Sequence, residues 1–283
     1  MAELVAVDYR AADAPERFVA SLRDTGFGVL SNPPLDPERI RGIYARWKAF
    51  FAESEEAKAE WLFDPERYDG FFPRARAETA VGGTAQDLKE YFHFYPWGRC
   101  PPALRDELER YHRDASALAA ELLGWVERHT PAEVAARFDE PLSGMIEGSE
   151  QSLLRVLHYP PLERPPEPGA IRAAAHEDIN LLTVLPAADE PGLQALARTG
   201  EWVEVPCHSG NLVINVGDML QEASGGHYPS TTHRVVNPEG ADVARARVSL
   251  PLFLHPRPEV RLSERYTAGG YLDERLRQLR GEA

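Results

Sequence analysis

The sequence predicts an α+β fold in which helices precede a jelly roll of short strands. Through much of the first half, apolar residues recur at spacings of three and four, the mark of amphipathic helices. From about Gln151 they gather into short runs separated by turn residues. Six such runs with Pro/Gly turns point to an antiparallel sandwich or barrel, and helices first with strands later is the α+β order.

Asp13-Ala14-Pro15-Glu16 offers an N-cap with a glutamate three residues on, opening a helix through Phe18 and Leu22. Gly26-Phe27-Gly28-Val29-Leu30 reads as a strand, and Pro33-Pro34 breaks the chain. Ile40, Ile43, Trp47 and Phe50 form a helical stripe. Gly70-Phe71-Phe72-Pro73 reads as a turn and Asp87–Phe94 as a strand. The longest helix follows Pro101-Pro102, its stripe running from Leu104 through Leu108, Tyr111, Ala115, Leu118 and Leu122 to Trp125. That stripe should back a sheet. The predicted strands are Leu153–Tyr159, Leu181–Leu185, Trp202–Val205, Leu212–Val216, His233–Val236 and Val248–Leu254. Leu272, Leu276 and Leu279 mark a last helix after Gly269-Gly270. The chain divides into a mainly helical part over 1–150, a jelly-roll core over 151–256 and a helical segment over 257–283, within one domain spanning 1–283.

The net charge of −14 opposes nucleic acid or an anionic membrane as partner, because phosphate binding needs clustered Lys and Arg. The expected partner is a small molecule. Only two cysteines, Cys100 and Cys207, occur, in no Cys-x-x-Cys arrangement, so a disulfide framework is not expected and a reducing cytoplasm fits. No signal peptide and no apolar run of about 18 residues is evident.

The chemistry concentrates in two segments. One is His176-Glu177-Asp178; the other is Thr232-His233-Arg234-Val235-Val236-Asn237-Pro238, with Arg247-Val248-Ser249 downstream. Two histidines and a carboxylate are the ligand set of a mononuclear non-haem iron(II) site with open positions. Residues i and i+2 on a strand share a face, so one short strand would supply His176 and Asp178. His233 must come from another strand. Three ligands on one face of the iron leave room for a bidentate 2-oxo acid and dioxygen. Arg245–Leu254 reads as one strand on which Arg247 and Ser249 share a face. A guanidinium turned inward is costly without an anion, and its fork matches a carboxylate. Arg245 shares that face but is expected at a solvated strand end. Glu177 is expected to be exposed, and the remaining histidines to be surface or satisfied core residues.

These motifs, with Gly26-Phe27-Gly28-Val29, Asp87-Leu88-Lys89-Glu90, Arg155–Pro161 and Asn215–Gln221, resemble the isopenicillin N synthase-like family of Fe(II)/2-oxoglutarate-dependent oxygenases in order and spacing. The resemblance implies a distorted double-stranded β-helix flanked by helices. It implies iron at His176, Asp178 and His233, and 2-oxoglutarate at Arg247 and Ser249 with Tyr159 as a third contact. It also puts Tyr91, His93 and Phe253 near the substrate. The expected activity couples oxidative decarboxylation of 2-oxoglutarate, with O2, to hydroxylation or desaturation of a small molecule. Two alternatives stay open. One is a 2-oxoglutarate-independent iron oxidase or cyclase in which Arg247 and Ser249 bind the substrate's carboxylate. The other is a non-catalytic jelly-roll sensor of a small acid.

Overall fold

The computed structural model describes residues 4–76, 86–162, 166–167, 169–188, 190–206 and 208–279; Cys207 lies outside them. Strand β1 (Ala6–Asp8) leads to helix α1 (Ala14–Thr25) and β2 (Phe27–Ser31). Then come α2 (Pro37–Phe51), α3 (Glu55–Ala59), β3 (Gly70–Phe72), β4 (Glu90–Phe94) and the long α4 (Pro102–His129). Two short helices, α5 (Ala132–Ala135) and α6 (Leu142–Met145), precede β5 (Leu153–Tyr159). The second half supplies β6 (Ala173–His176), β7 (Leu182–Pro186), β8 (Leu193–Leu196), β9 (Trp202–Glu204) and β10 (Leu212–Val216). It ends with α7 (Asp218–Ala223), β11 (His233–Val235), β12 (Arg247–Ser249), β13 (Leu252–Leu254) and α8 (Ala268–Leu279).

The strands form two sheets. The larger runs β1-β2-β10-β7-β13-β5-β4-β3, with β12 also on β5; the smaller runs β6-β11-β8-β9. One face of the larger sheet is covered by helices: Phe18 and Leu22 of α1, Trp47 of α2 and the α4 stripe pack on Val156, Val184, Ile214 and Leu252 in a single apolar core. Its other face packs against the smaller sheet, where Phe27, Val29, Leu157, Tyr159 and Val213 meet Ala173, Leu193, Ala195 and Val235. Because side chains alternate along a strand, the large-sheet strands send apolar residues to both faces, and those between the sheets are joined there by polar ones such as Thr183, Asn215 and Arg247. This double layer is the jelly roll that the patterning predicts.

Several local expectations are corrected. Asp13 makes no side-chain cap on α1; Pro15 in the first turn presets φ there and removes one amide that would need a cap. The α1 C-terminus closes on Gly26 at φ +72°, where an added Cβ would lie 2.2 Å from Thr231 Oγ1, so only glycine fits. Gly70–Phe72 is a strand paired with β4, not a turn. The segment from Arg245 to Leu254 is two strands, since Pro251 lacks the N–H that a continuous ladder needs. Arg245 sits outside them, 63% exposed, against Glu190 and Asp242. Helix α8 begins at Ala268 and contains both Gly269 and Gly270.

Candidate active site

The two-residue spacing of His176 and Asp178 does not place both on one strand. β6 ends at His176, and Asp178 occupies the turn that follows. That turn is pinned to the start of α7, where the Asp218 amide donates to the Asp178 carbonyl at 2.7 Å and the Gly217 amide to the Leu181 carbonyl at 3.0 Å. β11 pairs antiparallel with β6 so that His233 stands opposite His176. The imidazole rings are 4.4 Å apart, and Asp178 Oδ1 lies 3.9 Å from His176 Nε2 and 3.7 Å from His233 Nε2. Donor atoms of all three side chains fall within 4.8 Å of one another, close enough to share one ion.

Hydrogen bonds aim each donor. His176 Nδ1 donates to the Ala174 carbonyl at 2.7 Å, and His233 Nδ1 to the Thr231 carbonyl at 3.1 Å. Each Nε2 is therefore the nitrogen left to face Asp178 and available to a metal. Asp178 Oδ2 accepts from Thr183 Oγ1 at 2.5 Å and Asn215 Nδ2 at 2.7 Å, which leaves Oδ1 to the histidines. Asn180 Nδ2 in turn donates to Thr183 Oγ1. Burial disfavours the charged Asp178 carboxylate, but His233, His176 and the bonds from Asn215 and Thr183 outweigh it and hold the pKa below the ordinary value. Burial and the adjacent His233 push His176 down to about 4, against the pull of Asp178. Yet 44% of the His176 side chain remains accessible. The ring is thus reachable from solvent although protein packs around it.

On the opposing sheet, β12 pairs with β5 so that Arg247 stands beside Tyr159 and Ser249 beside Leu157. Arg247 is 1% exposed; its Nε donates to the Glu190 carbonyl, its guanidinium lies 5.2 Å from the Tyr159 ring, and Nη1 has no hydrogen-bond partner among the described residues. Ser249 is buried next to it. A buried donor of a charged group left unsatisfied is expensive, so this pocket fits an anion, and a carboxylate fits its geometry.

Tyr91, His93 and Phe253 are brought together. All three meet the guanidinium of Arg155 on β5, which lies 4.7 Å from the Tyr91 ring and 5.3 Å from the Phe253 ring and donates from Nε to His93 Nε2 at 2.9 Å. Arg155 escaped the sequence reading, as did Asn215 and Thr183, although the alternation that puts Tyr159 inward puts Arg155 inward too. His158 faces the other way, against Glu90 and the Phe51 ring. Glu177 is exposed and accepts a hydrogen bond from Thr232.

Residues 150–256 match the 2OG-Fe(II) oxygenase superfamily, and residues 7–114 match the N-terminal region described for the non-haem dioxygenase of morphine synthesis. A Shewanella oneidensis protein carrying an oxygenase assignment is 57% identical, with 98% of each chain covered and a TM-score of 0.89. The chain belongs to the 2OG-Fe(II) oxygenase superfamily. A Caulobacter crescentus protein assigned to the same 2OG-Fe(II) oxygenase family is 29% identical over 99% of this chain and 100% of that one, with a TM-score of 0.82. Jasmonate-induced oxygenase 2 of Arabidopsis thaliana is 26% identical over 86% of this chain, which spans 65% of that relative's length. The double-layered jelly roll with flanking helices is thus the double-stranded β-helix of this superfamily. Its superfamily-matched segment contains His176, Asp178, His233, Tyr159, Arg247, Ser249 and Phe253.

Proposed function

We propose that this chain is an Fe(II)- and 2-oxoglutarate-dependent oxygenase that hydroxylates or desaturates a small molecule. The observation that carries the reading is the buried Arg247 guanidinium, with Nη1 lacking a partner among the described residues, across the two-sheet interior from a His-Asp-His cluster. His176, Asp178 and His233 would hold the iron, and Arg247 with Ser249 would take the distal carboxylate of 2-oxoglutarate, Tyr159 lying against the guanidinium. When bound, the iron and its 2-oxo acid supply activation of O2 for oxidation of a C–H bond.

The chain's own residues then have defined tasks. The Ala174 and Thr231 carbonyls accept from each Nδ1 and so hold the two rings with Nε2 turned inward. Asn215 and Thr183 keep Asp178 ionised and restrict it to one ligating oxygen. Phe27 packs edge-on against the His233 ring, and with Leu157 and Val235 gives that side of the site an apolar wall. No helix among the described residues is long and apolar enough to cross a membrane, consistent with a small-molecule substrate met in water; a cytoplasmic location is part of this proposal.

Anaerobic titration with Fe(II) and then 2-oxoglutarate tests it. The expected result is a weak visible charge-transfer band that requires both. Iron binding without the band would overturn the co-substrate assignment and give Arg247 to a carboxylate of the substrate itself.

A further inference from the structure

Asp87, Leu88 and Lys89 run into β4 and bridge the two sheets beside the site. The Leu88 amide donates to the Ile171 carbonyl at 3.0 Å, and Asp87 Oδ1 accepts from the Ala174 amide at 2.9 Å. Ala174 belongs to β6, the strand that ends in His176 and lies at the edge of the smaller sheet. The ladder from β6 to β11 is irregular at this point. His176 stands opposite His233 and Ala173 opposite Val235, so Ala174 and Ala175 together face Arg234 alone. A bulge of this kind re-aims the side chain beside it and disrupts the regular ladder bonds. Ala174 makes its bonds elsewhere: its amide donates to Asp87, and its carbonyl accepts from His176 Nδ1 at 2.7 Å. One backbone residue thus connects the Asp87 carboxylate to the ring that offers Nε2 to a metal.

Asp87 is held in turn. Its second oxygen, Oδ2, meets Lys89 Nζ at 2.9 Å, and both side chains are buried. Lys89 Nζ also stands 6.0 Å from the centre of the Tyr91 ring. Taking two charges out of water can cost as much as their attraction returns, so a buried pair of this kind is a weak source of stability. Direction is what it supplies. With Oδ2 against the ammonium, Oδ1 is left to the Ala174 amide, and an ionised acceptor makes the stronger bond.

We propose that Asp87 is a positioning residue for the ligand His176, acting through Ala174, and that Lys89 fixes the carboxylate in the pose that holds the bulge. The inference rests on the iron-site reading and goes beyond it by adding two residues of the N-terminal half to the support of the metal centre.

Two neutral double variants separate this role from the charge pair. Asp87→Asn/Lys89→Met keeps an acceptor for the Ala174 amide, and Asp87→Leu/Lys89→Met has none. Neither leaves a buried charge unpaired, the usual reason for such variants to unfold. Anaerobic titration with Co(II) alone reads the affinity and the visible d–d spectrum, and NMR of the ring nitrogens in metal-free protein at neutral pH reads the His176 tautomer. The Leu variant should bind Co(II) about tenfold or more weakly than the unaltered chain, the loss typical of removing a group that orients a ligand. Its d–d spectrum should shift, and His176 should become a mixture of Nδ1–H and Nε2–H forms. The Asn variant should keep the unaltered spectrum, the Nδ1–H form and an affinity within about threefold. Asp87→Glu keeps the charge and moves the acceptor by one methylene; it should bind Co(II) severalfold more weakly, and it carries the test if the Leu variant does not fold. Equal Co(II) affinities in the two double variants, a pure Nδ1–H form in the Leu variant, or full affinity in Asp87→Glu would each overturn the proposal. So would a Leu variant that melts earlier with both readouts unmoved, the mark of a purely structural role. An unaltered protein that takes up no Co(II) would instead overturn the iron-site reading on which the inference rests.

Discussion

Among the described residues Arg247 is held by the Glu190 carbonyl and the Tyr159 ring, and its Nη1 has no hydrogen-bond partner. In the absence of ligand, a buried charge so sparsely paired is a liability to the fold, and an apolar residue of similar volume relieves it. Arg247→Met should therefore leave the melting temperature of the ligand-free protein unchanged or higher, while raising the Michaelis constant for 2-oxoglutarate at least tenfold and leaving Fe(II) affinity within a factor of a few. Thermal melts and an iron titration on the same variant check it; a large loss of stability would mean that Arg247 is structural. The pair Arg247 and Ser249 was readable because strand alternation needs only local sequence. Asn215 was not readable in its role. It reaches Asp178 from 37 positions away, through the pairing of β10 with β7 that sets Asn215 beside Thr183. Its motif was visible, but the partner of its amide was a tertiary fact. Arg155 was hidden differently: it stood inside a quoted motif, and its partners Tyr91, His93 and Phe253 come from two other strands.

At the scale of elements, the turn that carries Asp178 is shaped by its contact with α7. Gly217 adopts φ −104°, an ordinary value, so its glycine is not needed for conformation. It is needed for space. An added Cβ would sit 2.2 Å from the Asn180 carbonyl oxygen and 2.8 Å from its carbonyl carbon, and neither is a flexible side-chain end. Gly217→Ala must push α7 away from the Asp178 turn and strain the Asp218-to-Asp178 bond. We expect a loss of about 1–3 kcal/mol in denaturant unfolding, typical of overpacking, together with weaker Fe(II) binding. Unchanged iron affinity would show that the turn holds Asp178 independently of α7. The same turn explains why the ligand spacing misled. His-x-Asp fits a strand by period, yet the chain leaves β6 at His176 and Asp178 gains its orientation from Thr183 and Asn215. Helices were better predicted, because stripes such as that of α4 repeat over 28 residues and average out local exceptions.

For the whole molecule, the buried regions on both faces of the larger sheet hold histidines that resist protonation. Burial lowers His112, lowers His176 to about 4 with help from His233, and lowers His255 to about 4 against the opposing Phe253 carbonyl. Each resists a proton when folded, whereas the unfolded chain accepts one near the ordinary value of 6.5. Below that pH the unfolded state binds more protons, so stability is fully present above about 6.5 and falls as the pH drops toward 4. His255 is 9% exposed, and the gap from 6.5 to about 4 corresponds to on the order of 3 kcal/mol. The His176 side chain is 44% accessible, so its share is smaller. The low pKa of Asp178 adds acid sensitivity only below its ordinary 3.8. The prediction applies to metal-free protein, since a metal competes with protons for the same imidazoles. Denaturant unfolding with chelator at pH 7, 5.5 and 4.5 should show a progressive loss in the unaltered chain and a shallower one in His255→Leu, which has no imidazole to protonate there. Parallel curves for the two proteins would mean that His255 titrates alike in the folded and unfolded states, and the acid sensitivity would then belong to His112 and His176.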